Sequence, residues 1–500
     1  MFKVKPYAHQ KEALKLMTGK RYFALAMEMG TGKSCVAIAD AARLFQEGAI
    51  DSVLITAPNG VHENWRGEFE RHCAVPYKFY SARASKALGK AVNNATIYHK
   101  NTMVVLSVNH NAFSSNGSMK SITDFLATKH STLVIVDESD GFKNPSAIRT
   151  RNLLDIKPLC AYRRILTGTP VNNSPFDLWA QYTFLDMDIL NQKARNYRAA
   201  YRAFCAEYGE FLPPVHPLVR SVTRARGYTP MILAQDSNGR PKYRNIDRLT
   251  SKIAPHTFRI RKCDCLDLPD KVYHVTHFDL RRDQRAVYEA ARKELCVQLN
   301  EHKQIPISSK LTLVGKLSQI TSGFLNDEEQ VPHDICVVAD DPKLNELENI
   351  VRRATDEGAN VIVWCRFQHE IERVVHRLAG MNLFQYHGKI DSDTRERSIA
   401  EFNTCPSGAV LVGTAKTGGT GLTLNSASVV VYYSNTYSLR DRLQSEDRCH
   451  RIGQTRTVVY HDLVARDTID TAVLAALQNK GDVASAILEN LKGASNESES

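Results

Sequence analysis

Short, continuous apolar runs recur along this chain, separated by helical patterns, and they come in two sets. Tyr22–Ala26, Ser52–Ala57, Met103–Ser107, Thr132–Val136 and Arg164–Thr167 make the first set. Val361–Cys365, Leu383–Tyr386, Ala409–Gly413, Val429–Tyr433 and Val458–His461 make the second. Runs that stay apolar at successive positions, rich in Val, Ile and Leu, suit central strands of a parallel sheet, buried on both faces. Segments such as Ser34–Gln46, with apolar residues at helical spacing, supply the crossovers that parallel strands require. The expected fold class is α/β, with two parallel-sheet lobes in tandem.

A stretch of different character lies between the sets. From Asn191 to Lys262, 15 Lys and Arg stand against 4 Asp and Glu, while the whole 500-residue chain holds 65 against 54. The net charge of +11 is thus the excess of this one stretch. It also carries Pro213, Pro214, Pro217, Pro230 and Pro241, with Tyr197, Tyr201, Tyr208, Tyr228 and Tyr243 interleaved. It reads as an inserted, mainly helical or irregular basic subdomain. A local cationic excess suits a polyanion partner, and Arg220, Arg224 and Arg226 are candidate phosphate contacts. The 4-3-4 spacing of Tyr197, Tyr201, Phe204 and Tyr208 instead describes the apolar stripe of a helix. The expected organisation is a first lobe over 1–190, the basic insertion over 191–262, a lobe-closing segment and helical linker over 263–345, a second lobe over 346–490 and a disordered tail over 491–500.

Other classes are disfavoured. No window approaches the ~18 apolar residues of a membrane span, and Met1–Gln10 has no apolar leader core. The 11 Cys are scattered without a C-x-x-C pair, which argues against a disulfide framework and a zinc finger. Cys263-Asp264-Cys265 lacks a second pair to complete a metal site.

The chemistry begins at Gly30-Thr31-Gly32-Lys33-Ser34, between an apolar run and a helical pattern. Glycines let backbone N–H groups close around phosphate oxygens; Lys33 reaches the β- and γ-phosphates, and the Ser34 hydroxyl binds Mg²⁺. Met27 stands where the strict G-x-x-x-x-G-K-[ST] pattern has its first glycine. About a hundred residues later the run Thr132–Val136 ends in Asp137 and Glu138. Ligands bind at the carboxyl ends of parallel strands. There Asp137 could hold Mg²⁺, and Glu138 could orient and deprotonate an attacking water. Arg448 and Arg451 lie three apart in a helical pattern, hence on one face, and suit the charge of a transferring phosphoryl group.

These residues carry a family resemblance. Glu28–Ser34 resembles motif I of the Swi/Snf-type ATPases of helicase superfamily two. Asp137-Glu138-Ser139-Asp140 resembles motif II, Leu166–Val171 with Asn173 motif III, and Lys5–Gln10 the leading Q-motif. Gly413-Thr414 with Gly418–Leu422 is similar to motif V, and Gln444–Gln454, containing Arg448-Cys449-His450-Arg451-Ile452-Gly453-Gln454, is similar to motif VI. The resemblance implies two RecA-like lobes and an ATPase with ATP and Mg²⁺ as cofactors. It assigns the adenine edge to Gln10, with Tyr7 or Arg21 as stacking partners. It gives Gly419 and Gly421 close backbone approach at the cleft and makes Arg448 and Arg451 arginine fingers. It implies that each lobe grips one strand of double-stranded DNA, with Thr56, Pro58, Ser107, Arg366, His387 and Thr414 as contacts, though hydroxyls at strand ends also serve as caps. Asp140 stands where a His that contacts motif III is common. The implied function is a monomeric translocase that remodels DNA, forked or branched forms included, or protein–DNA complexes. A strand-separating DNA or RNA helicase and a catalytically silent DNA-binding scaffold are the alternatives. The motor-only layout resembles phage or bacterial members, hence a cytoplasmic place in a bacterium or a virus-infected cell.

Overall fold

The computed structural model describes the chain except residues 1–2, 60, 83–84, 98–99, 130, 191–193, 195, 227–228, 238, 302–306, 419–421, 452 and 497–500, and describes the backbone alone at 85–86, 225–226, 294–301, 307–313, 392, 417–418 and 483–496. It divides into two compact units. The first comprises Met1–Glu210, Gln235–Asp267 and Lys480–Ser500; the second comprises Phe211–Ala234 and Leu268–Asn479.

The first unit is built on a seven-stranded sheet of β1 (Tyr22–Met27), β2 (Ser52–Ala57), β3 (Tyr77–Ala82), β4 (Met103–Asn109), β5 (Thr132–Asp137), β6 (Tyr162–Leu166) and β7 (Thr257–Ile260). Their order is β3-β4-β2-β5-β6-β1-β7, and every pairing is parallel. Strands β2 and β4 are buried at every position, as continuous apolar runs require. The core joins Phe23, Leu25, Val53, Ile55, Val105 and Ile135 to the helix Lys33–Gln46 through Val36, Ala37 and Ile38. The edge strands β3 and β7 were not among the expected runs. Their mixed sequences, YKFYSA and TFRI, leave most β3 positions and the last two of β7 half-buried.

The second unit carries a six-stranded sheet of β8 (Lys271–Phe278), β11 (Asn360–Cys365), β12 (Asn382–Tyr386), β13 (Ala409–Thr414), β14 (Ala427–Tyr432) and β15 (Val458–Ala465). The order is β12-β13-β11-β14-β15-β8, again parallel throughout. A small antiparallel pair, β9 (Phe324–Asn326) and β10 (Pro332–Asp334), accompanies it. Val361, Val363, Val410, Val412 and Val431 pack with Leu347, Val351 and Val374 from helices on one face. Ile362, Trp364, Leu411 and Tyr460 pack on the other.

The basic insertion is not one body. Residues 211–234 cluster with the second unit and 235–267 with the first. The segment 263–345, expected to be a closing stretch and linker, contributes β8 to the second sheet. Polar Lys271, His274, Thr276 and His277 hide this strand from a search for apolar runs; an edge strand needs no continuous apolar face. The tyrosine stripe packs as a helix, Tyr197–Tyr208, with Ala200, Phe204, Cys205 and Tyr208 buried. Tyr197 and Tyr201 meet the Trp179 ring edge-on at 6.4 and 5.3 Å.

Candidate nucleotide site and nucleic-acid contacts

Strand β1 ends at Met27, and the chain turns through two left-handed glycines, Gly30 (φ 84°) and Gly32 (φ 89°), into the helix Lys33–Gln46. Only glycine adopts this conformation without strain. A Cβ on Gly32 would stand 2.2 Å from Gln10 Nε2, so the turn is also closed against the N-terminal helix Ala8–Met17. Gln10 Nε2 donates to the Thr31 carbonyl at 3.3 Å, and His9 Nε2 lies 2.8 Å from the same oxygen. Gln10 Oε1 accepts from the Tyr7 N–H at 3.1 Å. Gln10 therefore braces the loop with one end of its amide and the N-terminal turn with the other, keeping a second N–H and a second lone pair for a ligand. Tyr7, exposed, stacks on His9 at 5.7 Å beside it. Arg21 is different: it precedes β1, at the opposite end of that strand from the loop, so the suggested stacking role is corrected. Lys33 Nζ donates to the Met27 carbonyl at 2.9 Å, and half-buried Ser34 sits in the first helical turn, where open N–H groups favour anions.

Asp137 ends β5. Its Oδ2 accepts from Trp65 Nε1 at 2.9 Å and its Oδ1 from the Glu138 N–H at 3.0 Å. Burial, and next the charge of Glu138, push the Asp137 carboxyl up to about 6; Trp65 and Lys33 pull the other way. Glu138 is left-handed (φ 46°, ψ 55°), which is costly for a side chain with a Cβ and recurs where function demands it. Behind these carboxylates lies a tether that the sequence did not reveal. Ser139 Oγ donates to Gln181 Oε1 at 2.7 Å, and Gln181 Nε2 donates to the Pro170 carbonyl at 2.8 Å. Asn172 Nδ2 donates to Asp140 Oδ2 at 2.8 Å, and the N–H groups of Asn172 and Asn173 donate to Asp177. Asp140, which stands where a His that contacts motif III is common, makes such a contact through Asn172.

The half-buried, raised carboxyl of Asp137 and the cradle over Lys33 suit a divalent cation and a polyphosphate. Asp137 and Ser34 would hold Mg²⁺, which would supply positive charge to the phosphate oxygens.

In the second unit the helix Leu439–Cys449 ends one residue before His450, so Arg448 lies on it and Arg451 lies beyond it. The expected shared helix face is thereby corrected: His450, with ψ 80°, leaves the helical path. The two guanidiniums nonetheless converge. Arg448 Nη1 and Arg451 Nη1 donate to the Leu422 carbonyl at 3.3 and 3.1 Å. Gly419 and Gly421 lie outside the described residues.

The expected DNA contacts separate into groups. Thr56 and Ser107 are fully buried within β2 and β4, and the Ser107 hydroxyl lies 2.8 Å from His62 Nδ1. They belong to the sheet interior, which corrects their assignment to phosphate contact. Pro58 is half-buried just past the carboxyl end of β2. His387 is buried, with Nε2 3.2 Å from Gln385 Oε1; burial and then Lys389 lower its pKa. Arg366 and Thr414 are brought together by a cavity of about 190 Å³ at the carboxyl ends of β11, β13 and β14, with Lys416, Ser434, Asn435 and Arg442. Arg220 and Arg224 are exposed on the helix Pro217–Arg226; the Arg226 side chain lies outside the described residues. Among the described residues no cluster of His, Cys, Asp and Glu could hold a metal by itself, and no helix is long and apolar enough to cross a membrane.

Comparison with known proteins places this architecture. Residues 9–325 match the SNF2-related domain and residues 342–453 the helicase conserved C-terminal domain. The chain is similar to an uncharacterized ATP-dependent helicase of Mycoplasma genitalium, 24% identical, covering 92% of this chain and 39% of that protein. It is also similar to the ATP-dependent helicase fft1 of Schizosaccharomyces pombe, at 24% over 89% of this chain and 48% of that one. The human lymphoid-specific helicase is 23% identical over 90% of this chain and 58% of its own. The chain thus spans less than two thirds of these relatives. A solved Sulfolobus solfataricus SWI2/SNF2 ATPase core in complex with dsDNA aligns at 21% identity and a TM-score of 0.40, covering 99% of this chain and 96% of that one. Since the SNF2-related model alone takes in more than half of the residues, the chain belongs to the SNF2-related family of helicase-like proteins.

Proposed function

We propose that this chain hydrolyses ATP and couples the cycle to movement along double-stranded DNA, remodelling the DNA or the proteins on it. The observation that carries the reading is the first unit's carboxyl edge. There the Gly30–Ser34 loop meets a helix N-terminus, and β5 ends in a desolvated Asp137 and a strained Glu138.

In this reading the loop N–H groups wrap the phosphates, and Lys33 leaves the Met27 carbonyl for the β- and γ-oxygens. Gln10 offers its remaining donor and acceptor to the adenine edge. Glu138 orients the attacking water and takes its proton. Arg448 and Arg451 exchange the Leu422 carbonyl for the γ-phosphoryl oxygens, where positive charge is worth ~10³–10⁵ in rate. The tether from Ser139 and Asp140 to Pro170 and Asn172 carries the state of the nucleotide site to the loop after β6. Arg366 and Thr414 suit backbone phosphates without reading bases. Double-stranded DNA as the track, and a single chain as the working motor, rest on family membership.

Parallel ATP-turnover measurements without nucleic acid and with single-stranded DNA, blunt duplex, forked duplex and RNA test the reading. Duplex DNA should stimulate most, with triplex displacement and without release of strands from a quenched blunt duplex. Strongest stimulation by RNA, or strand release from the blunt duplex, would overturn the translocase assignment in favour of a strand-separating helicase.

A further inference from the structure

The amino-terminal edge of the first sheet carries a second cationic site, a strand's length from the phosphate loop. A cavity of about 470 Å³ opens there, lined by Arg21, Tyr22, Ser131, Lys157, Arg163 and Cys160 with the backbone between them. Three of these side chains are cations, and among the described residues that line it none is a carboxylate. Arg163 is only 7% exposed, and its Nε has no hydrogen-bond partner among the described residues. Its guanidinium lies over the Tyr22 ring, 3.9 Å from the centroid, so the ring holds the fork flat and leaves its in-plane N–H groups as donors. Lys157 Nζ spends one donor on the Thr183 carbonyl at 3.1 Å and rests over Tyr197 at 5.3 Å. Ser131 turns its hydroxyl away, to the Ala49 carbonyl at 2.6 Å.

With no carboxylate among the described residues of the cavity wall, this cluster is compensated only from outside it, by Asp186 and Asp155 near Lys157. Burial, with Arg163 next, lowers the Lys157 ammonium to about 8, although Asp186 and Asp155 act in the opposite sense. Buried cations are ordinarily paired, and a guanidinium in a cavity wall suits an oxyanion. Three converging cations favour an anion of at least two charges, and a planar fork beside an ammonium matches a phosphoryl group better than a lone carboxylate. Tyr22 is already covered by Arg163, so no ring is free to stack a base.

We propose that this cavity is a binding site for a phosphoryl anion of the pyrophosphate class, held by Arg21, Lys157 and Arg163 and separate from the nucleotide site. The same chemistry is presented by a free polyphosphate and by a nucleic-acid backbone, and the proposal stands independently of the motor reading.

Lys157 reports on its own occupancy. Burial lowers its ammonium, so its amine acylates more readily than that of an ordinary lysine at the same pH. Peptide mass spectrometry of the full chain after brief acylation follows this one lysine in the presence of pyrophosphate, orthophosphate or a short DNA duplex, with sodium chloride at matched ionic strength as control. A bound phosphoryl group restores the charge and should slow Lys157 acylation by about tenfold. Protection by pyrophosphate marks a free anion as the source; protection by duplex alone marks a nucleic-acid backbone. Arg21→Gln, at an exposed position, should raise the half-protecting concentration several-fold while leaving acylation of the empty site unchanged. Unaltered Lys157 acylation at saturating levels of all three anions overturns the proposal.

Discussion

The two units treat their buried charges in opposite ways. In the first, half-buried Asp137 stands beside a second carboxylate with its carboxyl pushed up to about 6, and Glu138 is held left-handed. In the second, buried charges neutralise one another in a network that runs from the carboxyl end of β14, at Tyr432, to the amino end of β8, at Lys271. Arg442 donates to Glu446 at 2.7 Å and to Asp462 at 3.0 Å, and lies over the Tyr432 ring at 3.6 Å. Glu446 also receives Lys271 at 3.1 Å and Tyr273 at 2.7 Å. Burial opposes its charge, but Lys271 and Arg442 hold that carboxyl below its ordinary range. Charges left short of partners await a ligand; charges paired among themselves fix backbone. The long polar stretch Arg440–Gln454 thus contains two kinds of arginine. Arg442 belongs to the protein's own network, while Arg448 and Arg451 rest on a carbonyl they can leave.

The sharpest way to break this comparison is Glu138→Gln. The amide keeps the size and removes the base, so ATP turnover should fall by about 10³-fold. Binding of a fluorescent nucleotide should persist. Turnover equal to the wild type would remove Glu138 from the reaction and leave its strained backbone without a reason.

Arg442→Met tests the second unit's network. It strands Asp462 and Glu446, both 3% exposed, and should cost about 3–5 kcal/mol in the urea transition of the second unit. Asn435, which donates to Asp462 at 2.7 Å, and Lys271 keep the loss toward the lower end. A change below ~1 kcal/mol, the scale of an exposed pair, would mean that the network does not support the fold.

How much of this was legible in the sequence follows the range of each interaction. Central strands were readable because burial on both faces writes a continuous apolar run. The phosphate loop was readable because its residues are consecutive. Edge strands β3, β7 and β8 were not, since a half-exposed strand has no run to show. Nor were the partners of the carboxylates: Trp65 lies 72 residues from Asp137, and Gln181 lies 42 from Ser139. Thr56 and Ser107 misled because a strand-end hydroxyl looks the same in sequence whether it faces a ligand or the interior.

Asp137→Asn separates strain from catalysis. The unfolded carboxyl titrates near its ordinary value of 3.8 and the folded one is pushed up to about 6, so the folded state binds the proton more tightly. Its contribution favours folding at low pH and is lost as pH rises between these values. Above them the buried charge is a net penalty of roughly 2–3 kcal/mol. Asn removes the penalty and still accepts from Trp65, at the cost of the bond from the Glu138 N–H, which then meets the amide nitrogen. The nucleotide-free variant should therefore outlast the wild type in a thermal melt at pH 8, with the difference vanishing near pH 4, while losing turnover. A variant no more stable than wild type at pH 8 would show that this edge stores nothing for its ligand.

Trp65→Phe asks for the smallest effect and the finest distinction. The ring is 2% exposed and packs 6.4 Å from Phe69, so Phe keeps most of the apolar fill. What is lost is one N–H donated to Asp137 Oδ2. That bond favours the charged carboxylate, so without it the Asp137 carboxyl rises further from its ordinary value. A hydrogen bond to a charged group is worth about 1.5–3 kcal/mol, or roughly a tenfold loss or more in turnover when it positions a reacting site. Lost packing would lower activity equally at every pH. A lost donor moves the acid limb of the pH–rate profile upward, because more protons must leave before Asp137 can hold its cation. A uniform fall with an unmoved acid limb would make Trp65 a core residue that merely touches the site; a displaced limb would make it the group that keeps this carboxylate charged.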